Sequence, residues 1–450
     1  MSKKKFIKHD EIENLIYQNK IYKPKYDIKK SHKLSEKILK KFYKKHENKL
    51  HYKGLNLISI VFQDFFWQYI FNYIKYRSFI DIHGKSLKIK INNNKYLFNG
   101  YARFQKFLFH KVSFKKLILG NLKILYLYLW TIYNLILFNK NKIIVSNQFI
   151  KNYRYNFFSK HIDSKDILIL NFRLGVTKSV KSKNLDDAIL NYINVRVDKL
   201  KHWEFLFRLL KPKKIILMDN LDEDYSIILA AKILNIQTIG ITHGVTSKYH
   251  KWLFGYPFVK KKNILSFDKL YVAGKSYQNT LNKFGNIYSR QSIFVSGNLG
   301  INYFKLRKKK SNKYILYPYE FLTDFTNVIK ILNFFHKKGY IIVIKKRADV
   351  DNYSQFGFLK PVFVDNYNKN HFENALCIFG LSTSILFELS FTEIPIVSMK
   401  ESGLYLYEDI NFQNMLYFNS NIIKKILRYK KKKIKQNSIS RDFLNEFKSR

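Results

Sequence analysis

Ala375-Leu376-Cys377-Ile378-Phe379-Gly380-Leu381-Ser382-Thr383-Ser384-Ile385-Leu386-Phe387-Glu388 reads as a strand running into a glycine turn and then a hydroxyl-rich helix start. Residues 375–379 are an apolar run of strand length, and Ile385, Leu386 and Leu389 mark the apolar face of the helix that follows. Hydroxyl groups at such a start satisfy free backbone N–H groups, and the helix dipole favours an anion there. Gly380, Ser382, Thr383 and Ser384 are therefore candidate phosphate-binding positions, with Glu388 one helical turn deeper. The same pattern also fits an ordinary capped helix, and Glu388 also fits a plain helix charge. The meaning of the stretch is set by the segments around it.

Working outward, Ile236-Gln237-Thr238-Ile239-Gly240-Ile241-Thr242-His243-Gly244 is an apolar strand ending in a polar His-Gly pair. Open α/β sheets place ligands beyond the carboxyl ends of their strands, where a histidine can orient a hydroxyl or move a proton. His243 is also readable as a surface or hydrogen-bonding residue. Asp219 closes the strand Ile215–Met218 as His243 closes its own, and it also suits the cap of the next helix. Lys345-Lys346-Arg347 follows the strand read over residues 340–344, so Lys345 and Arg347 are candidate phosphate clamps or a solvated rim.

The order of these pieces resembles the GT-B-type bacterial surface-polysaccharide glycosyltransferases, relatives of capsule polysaccharide, Kdo transferase and polyglycerol-phosphate polymerase proteins. His243-Gly244 is followed by Lys269-Leu270-Tyr271-Val272-Ala273-Gly274 and then by Ile293-Phe294-Val295-Ser296-Gly297-Asn298. A second domain opens with Tyr314-Ile315-Leu316-Tyr317-Pro318 and closes on Ser382-Thr383-Ser384, Glu388 and Ile394-Pro395-Ile396-Val397-Ser398. The resemblance runs from about residue 210 to 400. It departs at Lys345-Lys346-Arg347-Ala348, where the family's Lys-x-His-Pro element lacks its His and Pro, and at Glu393, where Gly or Lys is usual.

That resemblance implies an α/β, GT-B-like fold with two Rossmann-like domains facing a cleft and an extra helical N-terminal region. The expected division is a helical, basic and aromatic region over 1–140, an acceptor domain over 141–300, a nucleotide-sugar donor domain over 301–403, and a basic helical tail over 404–450. A terminal helix crossing back onto the first domain is common in such proteins. The implied activity moves a sugar from a nucleotide-activated donor to a surface polysaccharide or lipid-linked acceptor. Ser382, Thr383 and Ser384, helped by Lys345 and Arg347, would stabilise the leaving phosphate, Glu388 would meet a ribose hydroxyl, and His243 or Asp219 would take the acceptor's proton. Gly244 and Gly297 would let backbone approach the substrate. No cofactor or metal is expected beyond the donor substrate. A GT-B-fold nucleotide-sugar epimerase and a non-catalytic polysaccharide-assembly subunit are the alternatives.

Composition bounds the rest. A chain of 450 residues, 46% hydrophobic with 33 Tyr and 40 Phe, has enough apolar surface for two α/β cores and is no disordered chain. The formal charge of +50 suggests an anionic partner, yet Lys, Asn, Ile, Phe and Tyr share AT-rich codons, and a strongly AT-biased genome would load them everywhere. No nucleic-acid-binding motif accompanies the charge. An anionic membrane surface suits it better, with the run Lys424–Lys435 as a docking element or a solvated face. Cys377 is the single cysteine, which excludes a disulfide and a cysteine-built zinc site. The basic start lacks the apolar core of a secretory signal, so a cytoplasmic protein is expected, peripheral on the inner face of the cytoplasmic membrane. Leu55–Ile74 and Ile124–Phe138 are apolar but fall short of a clean spanning helix of about 20 residues.

Overall fold

Strand-length apolar runs separated by amphipathic helices produce two parallel sheets of six strands each. In the computed structural model, the described residues are 28–58, 114–137, 143–146, 167–170, 174, 185–218, 225–242, 254–260, 264–297, 312–320, 325–347, 353–381, 383–389, 392–399, 415–429 and 440–447. They fall into two compact units, one holding 28–58, 114–297 and 440–447 and the other holding 312–429.

The first unit opens with helix α1 (Ile28–His46), a short antiparallel hairpin of β1 (His51–Tyr52) and β2 (Leu55–Asn56), and helix α2 (Phe114–Leu137). Its sheet comprises β3 (Ile143–Ser146), β4 (Ile167–Leu170), β5 (Lys214–Met218), β6 (Gln237–Ile241), β7 (Lys269–Val272) and β8 (Ile293–Val295). The spatial order is β4-β3-β5-β6-β7-β8, with every pairing parallel. Helices α3 (Leu185–Leu210), α4 (Tyr225–Ile233) and α5 (Lys275–Phe284) lie between its strands in sequence, as parallel crossovers require. All of β5 is buried, the mark of a strand covered on both faces.

The second unit repeats the plan with β9 (Tyr314–Pro318), α6 (Phe325–Lys337), β10 (Ile341–Lys345), β11 (Val362–Val364), α7 (Lys369–Glu373), β12 (Ala375–Phe379), α8 (Ser384–Leu389), β13 (Ile396–Ser398) and β14 (Met415–Tyr417). Its order, β11-β10-β9-β12-β13-β14, is the doubly wound 3-2-1-4-5-6 arrangement when its strands are counted from β9. Tyr317, Phe335, Phe356 and Phe379 belong to one buried cluster in this unit. Two parallel sheets of this kind make two Rossmann-like α/β units, consistent with the GT-B-like class.

Residues 404–450, read as a basic helical tail, divide between the units. Met415–Tyr417 adds an edge strand beside β13, and α9 (Ile422–Arg428) follows it in the second unit. Helix α10 (Arg441–Asn445) belongs to the first unit. Its Phe443 and the following Phe447 pack with Ile143, Ile216, Ile239 and Tyr271 of that unit's sheet. Ser440 caps α10 by accepting from the Phe443 N–H at 3.1 Å, and its own N–H donates to the Ser296 carbonyl at 2.9 Å.

Glu446 fastens the same segment. It is 6% exposed and accepts from Lys214 Nζ at 3.1 Å, Lys269 Nζ at 2.5 Å and the Tyr271 hydroxyl at 2.9 Å. Burial by itself would raise this carboxyl, but the hydrogen bonds from Lys269, Lys214 and Tyr271 outweigh it and hold the group below its usual 4.5. The Tyr271 phenol moves the other way, pushed up by burial and by the Glu446 charge.

Candidate functional site

Ligands of open α/β sheets bind beyond the carboxyl ends of the strands, where the strand order reverses. In the second unit that point lies between β9 and β12. The exits of β9, β10 and β12 supply Tyr319-Glu320, Lys346-Arg347 and Gly380-Leu381 to one edge of the sheet.

Backbone pairing holds these exits together. Lys345 is the last residue of β10, opposite Pro318 on one side and Val364 on the other, so the strand ends one residue beyond the apolar run 340–344. The Tyr319 N–H donates to the Lys345 carbonyl at 3.1 Å. Arg347 is exposed, and its N–H donates to the Tyr353 hydroxyl at 2.8 Å, while Tyr353 sets its ring edge-on to Tyr319 at 5.2 Å. Lys346 is drawn to Asp365, 3.0 Å away. The cations expected here thus stand at the end of β10, one strand from β9.

Across β9 lies the glycine turn. The Gly380 N–H donates to the Val397 carbonyl at 3.1 Å, continuing the β12–β13 pairing past the end of the strand. Glu320, 4% exposed, then reaches over from the β9 exit. Its carboxylate accepts from the Leu381 N–H with both oxygens at 2.9 Å, and from the Thr383 N–H at 2.9 Å. A side-chain anion therefore occupies the place at the turn where the sequence pattern leads one to look for an anion.

Gly380 is what allows that approach. A Cβ there would stand 2.9 Å from Glu320 Oε1 and 3.1 Å from Leu386 Cδ2. The Leu386 N–H donates to the Thr383 carbonyl at 3.1 Å, so Thr383 closes the first turn into α8. Ser384 is the first residue of α8, and Glu388 lies on the same helix. Ser382 lies outside the described residues.

Ser398 and Gln355 of this unit bury polar side-chain atoms without a hydrogen-bond partner among the described residues. The Ser398 hydroxyl ends β13 at 0% exposure, and the Gln355 amide sits at 2% in the short helical turn Ser354–Leu359 that follows Tyr353. Leaving such a group unpaired costs about 1–3 kcal/mol.

In the first unit the described backbone stops short of the expected catalytic residues. Strand β5 ends at Met218, and Asp219 lies outside the described residues. After β6, Thr242 is buried and its N–H donates to the Tyr271 carbonyl at 2.9 Å; His243 and Gly244 lie outside. Gly297 is described and has φ +82°, a left-handed conformation that favours glycine. It follows Ser296, whose hydroxyl donates to the Val272 carbonyl at 3.1 Å and whose carbonyl receives the Ser440 N–H.

Glu320 is the residue that sequence reasoning missed. The available signal was an acid directly after a Pro-ended strand, Tyr317-Pro318-Tyr319-Glu320, in a chain with 82 basic and only 32 acidic residues.

No family model matches the chain, and no curated protein matches it. Among solved structures it is similar to UDP-GlcNAc 2-epimerase from Methanocaldococcus jannaschii in complex with UDP-GlcNAc and UDP, at 13% identity over 68% of this chain and 98% of that one, TM-score 0.41. It is similar also to UDP-GlcNAc 2-epimerase from Neisseria meningitidis bound to UDP-GlcNAc and to the glycotransferase of kitacinnamycin. Each of these is 12% identical over 64% of this chain and 89% of that one, with a TM-score of 0.41. Similarity of this degree assigns no chemistry to any residue here.

Proposed function

We propose that the chain is a nucleotide-sugar enzyme, a glycosyltransferase that holds its donor at the carboxyl edge of the second sheet and passes the sugar to a polysaccharide or lipid-linked acceptor. The observation that carries the reading is the 3-2-1-4-5-6 strand order, with the Gly380 turn on the β12 exit beside its reversal point and Lys345 and Arg347 at the β10 exit on the other side of β9. Breaking a glycosyl bond to a nucleotide leaves negative charge on phosphate, which cations beside a dry turn stabilise.

Glu320 refines the division of labour. Because it already takes the Leu381 and Thr383 N–H groups, the phosphate charge falls to Lys345 and Arg347, with the Ser382 and Ser384 hydroxyls as hydrogen-bonding partners. Glu320 itself positions the turn. Glu388 is assigned to the ribose, and the acceptor's proton to His243 or Asp219, which follow β6 and β5 in the sequence.

Thermal shift and calorimetry with CMP, CDP, UDP and GDP test the donor site. One nucleotide should bind, and Lys345→Ala/Arg347→Ala should raise its Kd at least tenfold, about 1.4 kcal/mol. Unchanged affinity in the folded double variant refutes the assignment. Incubation of the matching nucleotide sugar without acceptor separates the chemistries, since an epimerised sugar would replace the transferase reading.

A further inference from the structure

Helix α2 is turned inside out. Ile118, Leu122, Leu125, Leu129, Ile132 and Ile136 recur at spacings of four and three, a stripe that normally faces a core, yet each is 44–78% exposed. Leu119, Tyr126 and Tyr133 widen the stripe on one side and are 47–61% exposed. The side turned toward the protein carries Gly120, Leu127, Thr131 and Asn134 instead. Thr131 and Asn134 return their side chains to the helix's own carbonyls, at 2.7 Å to Leu127 and 2.6 Å to Trp130. The helix is fixed to α3 by the Tyr128 hydroxyl on His202 Nδ1 at 2.7 Å and by the edge of Tyr128 against Phe205, 5.5 Å away.

The stripe from Ile118 to Ile136 extends about 27 Å along the helix, since each residue rises about 1.5 Å. An apolar face of that length on a surface marks an interaction site. We propose that α2 lies in the interface of an anionic lipid bilayer, with its apolar stripe sunk into the acyl boundary and its long axis in the membrane plane. Charge decides against the other occupant, a second copy. Two chains of formal charge +50 repel, whereas anionic headgroups attract.

The helix itself has the matching chemistry. Residues 114–137 contain no Asp or Glu; the exposed Lys115 continues the stripe one heptad before Leu122, and the exposed Lys123 flanks it. Both can snorkel to headgroups while Tyr126 and Tyr133 keep their hydroxyls at the polar boundary. A paired coiled coil would carry charges beside its seam, where this helix has Leu119, Tyr126 and Tyr133. Spanning is not the mode, because no described helix is long and apolar enough to cross a membrane. This inference does not depend on the reaction proposed above.

Flotation of the full chain with phosphatidylcholine vesicles, with and without phosphatidylglycerol, tests it. Wild type should float with the phosphatidylglycerol vesicles, and Leu122→Gln/Leu129→Gln/Ile136→Gln should lower partitioning at least tenfold with an unchanged melting curve, since all three side chains are exposed. Lys115→Gln/Lys123→Gln should weaken flotation only where phosphatidylglycerol is present. Failure of wild type to float, or equal flotation of the triple variant, overturns the proposal. A wild-type oligomer that the triple variant dissolves, without vesicle binding, assigns the face to a second copy and overturns it as well.

Discussion

Removing the Glu320 carboxylate should unlock the turn after β12. Glu320→Ala strips the acceptor from two backbone donors, Leu381 N–H and Thr383 N–H, each bonded at 2.9 Å in a setting where Glu320 is 4% exposed. An orphaned buried N–H costs about 1–3 kcal/mol, so two cost about 2–6 kcal/mol. Glu320→Gln keeps the shape and one acceptor oxygen but loses the charge-assisted character of the bonds, about 1.5–3 kcal/mol. With a urea dependence of about 1.5 kcal/mol per molar, a 3 kcal/mol loss lowers the unfolding midpoint by about 2 M. Tryptophan fluorescence is the wrong probe, because Trp67, Trp130, Trp203 and Trp252 all precede the second unit in the chain. Circular dichroism for the midpoint, and hydrogen exchange read on the peptide spanning 380–389, report it directly. The expected ranking is wild type, then Gln, then Ala, with faster exchange at Leu381 and Thr383 in both variants. A midpoint within about 0.3 M of wild type together with unchanged exchange refutes the reasoning.

The C-terminal anchor makes stability depend on acid. Glu446 titrates below its usual 4.5 when folded, so its contribution is complete above that value and fades as the pH falls through the folded pKa. Glu446→Gln should be less stable than wild type at neutral pH and converge on it in acid unfolding; parallel curves at all pH values refute the coupling. Phe443→Ala should cost about 3–5 kcal/mol and expose residues 440–447 to limited proteolysis, which an unchanged digestion pattern contradicts. In β6, a Cβ on Gly240 would stand 2.2 Å from the Phe267 ring, so Gly240→Ala should cost about 1–3 kcal/mol, and Phe267→Leu in the same chain should recover part of it. Additive losses in that double variant would show that the ring is not the obstacle.

The sheet strands were legible because fully buried parallel strands are nearly continuous apolar runs. Ala375–Phe379 and Ile215–Met218 need no period to be recognised, and both are strands in the structure. The three-residue edge strands Val362–Val364 and Met415–Tyr417 are not legible, because they are partly exposed and too short to show alternation. Of the candidate site, the positions at strand exits could be read locally: Lys345, Arg347, Gly380 and Thr383 stand where β10 and β12 end. Glu320 could not, since its role depends on a contact across 61 residues to the Leu381 N–H. Sequence shows which groups leave a strand but not which backbone donors they meet on the neighbouring one.

That same limit explains why one chemical expectation changes character once the fold is known. A glycine turn followed by hydroxyls signals free N–H groups that need an anion, and the physics of that signal holds here. It does not say whose anion. The 3-2-1-4-5-6 order sets β9 beside β12, so an acid one residue past Tyr319 reaches the turn without any ligand. The turn is thereby ordered in advance, and under the proposed function the charge of an incoming phosphate falls to the cations on the far side of β9. Preorganisation of this sort lowers the cost of binding because the loop is not fixed at the moment the ligand arrives. Lys345 and Arg347 are accordingly where loss of a cation should tell on the nucleotide, and Glu320 is where loss of an anion should tell on the fold.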